Sequence, residues 1–239
     1  MKIATWNIGE DERDKDGKLN IDSYNYIIDF IKREDFDVIC LQEAVTTSKE
    51  LPIIADYIME NTELKHKAEY ELSDSHINIG SRMGVAIVSK YDIESSEKIA
   101  FENPNLIRVI NEEVTFKSHD KGVLITKIKD FNIVTGHCLP FHVFKKDIND
   151  YTYIFKEAED KFMEIINRGE KFVLCGDLNT ERVDIIFPRV MEACKDLIKC
   201  PTRYDKQLDH FIINKELDLI HGTVLKTYFD HNIGIFEVK

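Results

Sequence analysis

Strand-like runs recur along the whole chain, and most of the central ones follow one another without a helix between them. Together with three amphipathic stripes at helical spacing, they predict an α/β protein of two packed, mostly antiparallel β-sheets (a β-sandwich) flanked by helices, layered α/β/β/α. The strict alternation of strand and helix that marks a doubly wound sheet is missing.

The strand-like runs, in order, are Lys2–Ile8, Asp37–Leu41, Gly84–Ser89, Ile107–Phe116, Val123–Ile128, Phe131–His137, Phe172–Cys175, Leu208–Ile213, Thr223–Thr227 and Ile233–Val238. Tyr24, Ile27, Ile28 and Ile31 form the first helical stripe, and Leu51, Ile54, Ala55, Ile58 and Met59 the second. Ile154, Phe155, Ala158, Phe162, Ile165 and Ile166 form the third. A fourth, from Val183 to Met191, is interrupted by Pro188, which lacks the N–H a helix interior needs.

The 239 residues are 43% apolar with 10 Gly and 5 Pro, and no Ser/Gly-rich linker or internal repeat divides them. A single domain over residues 1–239 is the simpler expectation. The apolar start of MKIATWNIGEDERD is too short for a signal peptide and no run reaches the length of a membrane span, which predicts a soluble, cytoplasmic protein with no stable membrane insertion. The five cysteines include no CxxC pair, so reduced thiols are expected rather than a disulfide framework or a zinc site. The net charge of −12, from 44 acidic against 32 basic residues, argues against strong non-specific attraction to nucleic acid. It leaves room for a nuclease, because a bound divalent cation offsets local negative charge.

Side chains two apart on a strand share a face, and several apolar rows run into polar residues in phase. Ile3 and Thr5 lead to Asn7; Ile39 and Leu41 to Glu43; Ile133 and Thr135 to His137; Val173 and Cys175 to Asp177 and Asn179. Near the C-terminus the order reverses, with Asp209 ahead of Phe211 and Ile213, and His231 ahead of Ile233 and Ile235. Each polar residue alone has a plainer reading: a helix cap at Asp177 or Asn179, a loop start at Glu43, a hydrogen-bonded core histidine at His137, a turn at Asp230–His231. Six strand ends in the same phase point instead to one rim of the sandwich. Carboxylates gathered there need a compensating cation, and Glu, Asp and Asn oxygens suit Mg²⁺, Mn²⁺ or Ca²⁺. A hard cation beside two histidines is equipment for phosphoryl chemistry.

The stretches TWNIG (5–9), ICLQEA (39–44), MGVAIVSK (83–90), IVTGHCLPF (133–141), VLCGDLNTE (173–181), QLDHFII (207–213) and FDHNIGIFEV (229–238) together resemble the endonuclease/exonuclease/phosphatase superfamily of Mg²⁺-dependent phosphoesterases, in the family's order and over nearly the whole chain. The resemblance implies a Mg²⁺ site, with Mn²⁺ a plausible substitute, at Glu43 with Asn7 and Asp230 close by. It implies that Asp177 orients or deprotonates the attacking water and that Asn179 donates to the scissile phosphate. His231 would be the acid/base histidine oriented by Asp209, and His137 the second active-site histidine of the deoxyribonuclease and sphingomyelinase-like branches. Three positions depart from the family pattern: Phe229 where Ser is common before Asp-His, Gly9 where the apurinic-site branch has a second carboxylate, and Gln207 where Arg is frequent.

The implied substrate is a phosphodiester in nucleic acid or a nucleotide, with a phospholipid or inositol-phosphate head group as the alternative. The segment LPFHVFKKDINDYTY (139–153) interleaves Phe141, Phe144, Tyr151 and Tyr153 with Lys145 and Lys146, which reads either as a base-stacking platform or as the buried face of the next helix. Arg82 is a candidate phosphate contact. A dinuclear metallophosphoesterase of another fold is rejected, because its D-x-H and GNH[D/E] segments are missing. A catalytically silent binding module of the same fold would normally have lost one of the positions kept here.

Overall fold

The computed structural model describes residues 1–9, 20–75, 80–110 and 115–239. In chain order the elements are β1 (Lys2–Asn7), α1 (Ile21–Glu34), β2 (Val38–Thr47), α2 (Ile54–Asn61), β3 (His66–Asp74), β4 (Arg82–Ser89) and β5 (Ser95–Ala100). A hairpin of β6 (Ile107–Val109) and β7 (Thr115–Lys117) follows, then β8 (Gly122–Ile128) and β9 (Phe131–His137). A 3₁₀ segment (Ile148–Phe155) leads into α3 (Lys156–Asn167), β10 (Lys171–Asp177), α4 (Val183–Ile186) and α5 (Pro188–Ala193). The chain ends with β11 (Cys194–Asp196), β12 (Asp209–Asn214), β13 (Leu219–Leu225) and β14 (Ile233–Val238).

Two mixed six-stranded sheets pack face to face, ordered β13-β14-β1-β2-β4-β3 and β11-β12-β10-β9-β8-β5. Each is antiparallel except for one central parallel pair, β1/β2 in the first and β9/β10 in the second. Parallel neighbours end at the same edge of a sheet, so each central pair delivers two C-terminal ends together. Three apolar clusters fill the three gaps between four layers. Trp6, Tyr24, Ile27, Ile39, Leu41, Ile54 and Ile58 join the first sheet to α1 and α2. Val134, Phe155, Phe162, Phe172, Leu174 and Phe187 join the second sheet to the 3₁₀ segment, α3, α4 and α5. Ile3, Val38, Cys40, Ile133, Val173, Cys175 and Phe211 lie between the sheets. Burying each large aliphatic or aromatic side chain contributes about 1.5–3 kcal/mol.

The helical stripes fold as the spacing predicts, with two refinements. Asn20 caps α1 by accepting from the backbone N–H of Asp22 (2.9 Å) and Ser23 (3.0 Å). The third stripe begins in the 3₁₀ segment, and the fourth divides at Phe187, because proline restricts its predecessor away from the helical region. Strands β3, β5 and β11 carry no clear apolar alternation and escape a pattern search, and all three lie at sheet edges. The run Ile107–Phe116, expected as one strand, contains two short strands paired to each other, with residues 111–114 outside the described residues. Among the described residues no helix is long and apolar enough to cross a membrane.

Candidate active site

The ends of the two central parallel pairs meet at one rim of the sandwich. In the second sheet Asp177 lies directly beside His137 on β9 and beside Asp209 on β12, so one row across three strands carries all three groups. In the first sheet Asn7 pairs with Gln42, one residue before Glu43. The inward rows of β1, β9, β10 and β12 are those expected from the sequence: Ile3, Ile133, Val173, Cys175, Phe211 and Ile213 all lie between the sheets.

Two of the six rows run differently. Ile39 and Leu41 face the helices, and Val38 and Cys40 point between the sheets. Glu43 reaches the rim because its backbone is left-handed (φ 55°) and the β2/β4 register slips between Gln42 and Ala44. A bulge of this kind re-aims one side chain out of its regular alternation. Ile233 and Ile235 likewise face the helices, and His231 arrives from the turn before β14, bridged to Arg203. Asn179 is left-handed too (φ 53°). Non-glycine residues in this region are uncommon and cluster where function holds a strained backbone.

The groups form one connected constellation. Asn7 Nδ2 donates to Asp177 Oδ2 (2.9 Å) and to Glu43 Oε1 (3.3 Å), while Asn7 Oδ1 accepts from the Gly9 N–H (2.8 Å). His137 Nε2 is 3.6 Å from Glu43 Oε1 and 3.7 Å from Asp177 Oδ2. His231 Nδ1 meets Asp209 Oδ2 at 2.7 Å, and its Nε2 lies 3.8 Å from Asp177 Oδ2. Asp177 Oδ1 accepts from the backbone N–H of Asn179 (2.9 Å), and Asn179 Nδ2 donates to the Cys138 carbonyl (3.0 Å). That turn fixes the Asn179 amide in place, and the helix cap that is the plainer reading of Asp177 or Asn179 alone is not made: α4 has no side-chain cap.

Burial and neighbouring charge set the protonation states. Burial raises the Asp177 carboxyl, helped by Asp209 and Glu43 and opposed by His231, to about 6. Burial also works against ionised Glu43, but the basic groups His137, Lys121 and His231 outweigh it and hold this carboxyl at about 2. Burial and then Lys121 keep His137 well below the usual imidazole range, so at neutral pH the positive field on Glu43 comes from Lys121 and His231. Burial opposes the imidazolium form of His231, yet Asp209 more than compensates and lifts it to about 10.

Glu43, His137 and Asp177 offer ligand atoms all within 4.8 Å of one another, as do Asp177, Asp209 and His231. A hard divalent cation fits the first group: two carboxylates side by side, one of them buried and resisting ionisation without a counter-charge. The other two expected metal residues are placed differently. Asn7 turns its oxygen to Gly9 and its NH₂ to the carboxylates, so it holds Glu43 and Asp177 in position. Asp230 is paired with Arg203 (Oδ2–Nη2 2.7 Å) at the wall of the same cleft.

Gly9 leaves room for the Glu43 carboxylate. A Cβ there would overlap the Glu43 carboxylate and lie 3.0 Å from Asn7 Oδ1, which accounts for the missing second carboxylate at this place. Gly9→Ala is expected to weaken Mn²⁺ binding by about tenfold, equivalent to ~1.4 kcal/mol, with little change in melting temperature. Titration followed by electron paramagnetic resonance checks this, and unchanged affinity would show that Glu43 is free to move aside.

The other sequence expectations separate clearly. The cleft encloses ≈ 730 Å³ and is lined by Asn7, Glu43, His137, Asp177, Asn179, Asp230 and His231, with Phe116 and Phe144 on its walls. Phe141 and Phe144 are core residues, and Tyr151 stacks on Phe141 at 4.9 Å, so 139–153 is mainly a buried face and not a stacking platform. Tyr153 is exposed but lines a separate hollow with Lys156 and Pro188. Arg82 is tied to Glu71 and to Asp74 (2.6 Å), away from the cleft. Phe229 packs edge-on against Trp6 (5.1 Å) on the helix side, so this departure leaves the cleft untouched. Gln207 donates to Asp196 (2.7 Å), which also binds His210 (2.7 Å), and His210 Nε2 meets the Thr180 carbonyl (2.8 Å) behind the Asn179 turn.

Two cleft residues, Arg203 and Lys121, carry no signal in the sequence, and Gln42, inside the ICLQEA stretch, takes a role that the stretch does not spell out. Gln42 crosses the gap between sheets to Thr135 Oγ1 (2.8 Å) and Thr5 Oγ1 (3.3 Å). Arg203 lies in an irregular loop. Lys121 closes a polar run before β8, and its Nζ stands 3.0 Å and 2.9 Å from the two ring nitrogens of His137.

A family model described as the Endonuclease/Exonuclease/phosphatase family matches residues 4–194. A comparison with curated proteins returns no match. Among solved structures, an endonuclease/exonuclease/phosphatase from Beutenbergia cavernae is similar at TM-score 0.72 and 16% identity, over 100% of this chain and 71% of the other. The catalytic domain of human Nocturnin with bound sulfate follows at TM-score 0.68 and 12% identity, over 100% and 94%. A mannosyl-6-phosphatase from Bacteroides thetaiotaomicron gives TM-score 0.59 and 16% identity, over 100% and 99%. At these identities the solved structures speak for the fold, while the sequence match over residues 4–194 places this chain in the endonuclease/exonuclease/phosphatase family.

Proposed function

We propose that the protein is a divalent-metal-dependent phosphoesterase that hydrolyses phosphodiester bonds in nucleic acid or nucleotides by in-line attack of water. The observation that carries this reading is the position of Asp177 Oδ2. It lies 3.7 Å from His137 Nε2 and 3.8 Å from His231 Nε2, with Glu43 Oε1 beside it, 3.6 Å from the same His137 nitrogen. A carboxylate that resists ionisation, flanked by one neutral and one protonated histidine, separates acid from base in a single cleft.

Asp177 orients the attacking water and takes its proton as the new O–P bond forms. His231, kept as imidazolium by Asp209, gives its proton to the leaving oxygen as the old P–O bond breaks. Asn179, pinned by the Cys138 carbonyl through one N–H, retains the other for a phosphate oxygen. His137 closes the opposite side. Mg²⁺, or Mn²⁺ in its place, held by Glu43 beside Asp177, would supply Lewis-acid polarisation of a non-bridging oxygen.

A second reading has its own support. Ile107, Val109, Ile110 and Phe116 are 60%, 67%, 46% and 45% exposed on or beside the β6/β7 hairpin, and Phe116 also lines the cleft. Apolar side chains at a cleft mouth suit an amphiphilic phosphodiester such as a phospholipid. Release of p-nitrophenol from bis-p-nitrophenyl phosphate, dependent on Mg²⁺ or Mn²⁺ and abolished by EDTA, is the expected result. A parallel panel of DNA, RNA, nucleotides and phospholipid vesicles separates the two readings. Inactivity on every substrate would leave a binding module of this fold.

A further inference from the structure

We propose that Lys121 is a substrate-contacting residue of this site, its ammonium group binding a non-bridging oxygen of the phosphoester. The inference rests on the phosphoesterase reading above and extends it to a residue that no motif marks.

The cleft floor is rich in carboxylates, and two of its cations are already taken. Arg203 is paired with Asp230 at 2.7 Å and His231 with Asp209 at 2.7 Å. Lys121 is different. Among the described residues its hydrogen-bond partners are the two ring nitrogens of His137, at 3.0 Å and 2.9 Å, and it forms no ion pair. An ammonium group has three N–H donors, and a neutral imidazole has one lone pair to accept with. Two donors therefore remain for something else in the cleft that Lys121 lines.

The backbone explains how a lysine reaches this place. Lys121 is the residue at which the excursion containing the β6/β7 hairpin rejoins the second sheet, its carbonyl accepting from the Phe101 N–H at 2.9 Å. The next residue, Gly122, pairs directly with His137 across β8 and β9. The lysine stem is thus anchored one step beyond the last rung of the ladder, where the chain leaves the sheet and a long side chain can turn over the histidine ring. A partly exposed lysine at such a point would ordinarily extend into solvent. Here it is drawn inward, and burial lowers its proton affinity against the pull of Glu43 and Asp177. A cation held within reach of the scissile group, without a carboxylate of its own, matches an anionic phosphate oxygen and is positioned where charge develops in the transition state.

The competing role is a stand-in counter-charge that only offsets Glu43 and Asp177 until a metal binds. Lys121→Met and Lys121→Arg in the full chain separate the two. Isothermal titration of Mg²⁺-loaded protein with inorganic phosphate is expected to show about a 10–100-fold loss of affinity in Lys121→Met, from one missing charge-assisted hydrogen bond, and partial recovery in Lys121→Arg. Mn²⁺ affinity of Lys121→Met, read by electron paramagnetic resonance, should equal or exceed that of the unsubstituted protein, because a neighbouring positive charge is gone. Phosphate affinity unchanged in Lys121→Met, or lost together with Mn²⁺ affinity, would overturn the proposal, as would an unsubstituted protein that binds no phosphate. Phosphate binding through Lys121 in a protein that cleaves no phosphoester would sink the hydrolytic reading and leave this assignment standing.

Discussion

Asp177→Asn should lower kcat/KM on bis-p-nitrophenyl phosphate by about 10²–10⁴-fold, the range for losing a positioned proton acceptor. The substitution keeps the volume and the shape, so the loss isolates charge and basicity. Asp177 Oδ1 already accepts the Asn179 N–H at 2.9 Å, and an asparagine oxygen can do the same, so the turn behind the site survives. What changes is the other oxygen, which faces Asn7 Nδ2 at 2.9 Å and the two histidines. An NH₂ there opposes the Asn7 donor and cannot take a proton from water. The expected signature is loss of turnover with the folded state retained, seen as an unchanged far-UV circular dichroism spectrum. Full activity in Asp177→Asn would remove Asp177 from the chemistry and with it the proposed mechanism.

Gly176→Ala should destabilise the protein by about 3–5 kcal/mol, through backbone strain and a steric clash acting together. Gly176 has φ +136°, a conformation that side chains other than glycine's rarely adopt. A Cβ there would overlap the carbonyl oxygen of Gly136 and lie 2.9 Å from its nitrogen. The neighbour is the backbone of the paired strand, not the end of a flexible side chain, so it cannot swing away. Because Gly176 and Gly136 sit opposite each other one rung before Asp177 and His137, relief of the clash has to pull those two groups apart. At about 2–4 °C per kcal/mol for a chain of this length, the melting temperature should fall by roughly 6–20 °C. A fall of a degree or two would show that β9 and β10 separate easily here.

Much of the site was legible because strand periodicity is short and rigid. Asn7, His137, Asp177 and Asp209 end or begin regular strands, and counting by two from buried neighbours such as Ile3, Ile133, Val173 and Phe211 puts them on the inner face, where they are found. The same count fails for Glu43 and His231. Both reach the rim by leaving regular geometry, one through a left-handed bulge and one through a turn, and alternation says nothing about either. Counting by two put both at the rim from rows that face the helices, so the placement agrees for the wrong reason, and only the order of motifs along the chain supports their roles. Lys121 and Arg203 were invisible for a further reason. A long polar side chain in a loop looks the same in sequence whether it points to water or curls into a cleft, and only the tertiary fold decides. The edge strands β3, β5 and β11 escaped because an edge exposes one side to solvent and needs no apolar alternation.

The candidate site draws Asn7 and Glu43 from one sheet and His137, Asp177 and Asp209 from the other, with Gln42 spanning the gap to Thr135. The cleft is therefore a measure of how closely the sandwich is shut. A small loosening between Cys40 and Val38 on one side and Cys175 and Val173 on the other opens the distance between Asn7 and Asp177 well before any strand unpairs. In rising denaturant, turnover should vanish while β-sheet content is still intact, and inactivation would then report the parting of two layers, ahead of the unravelling of either.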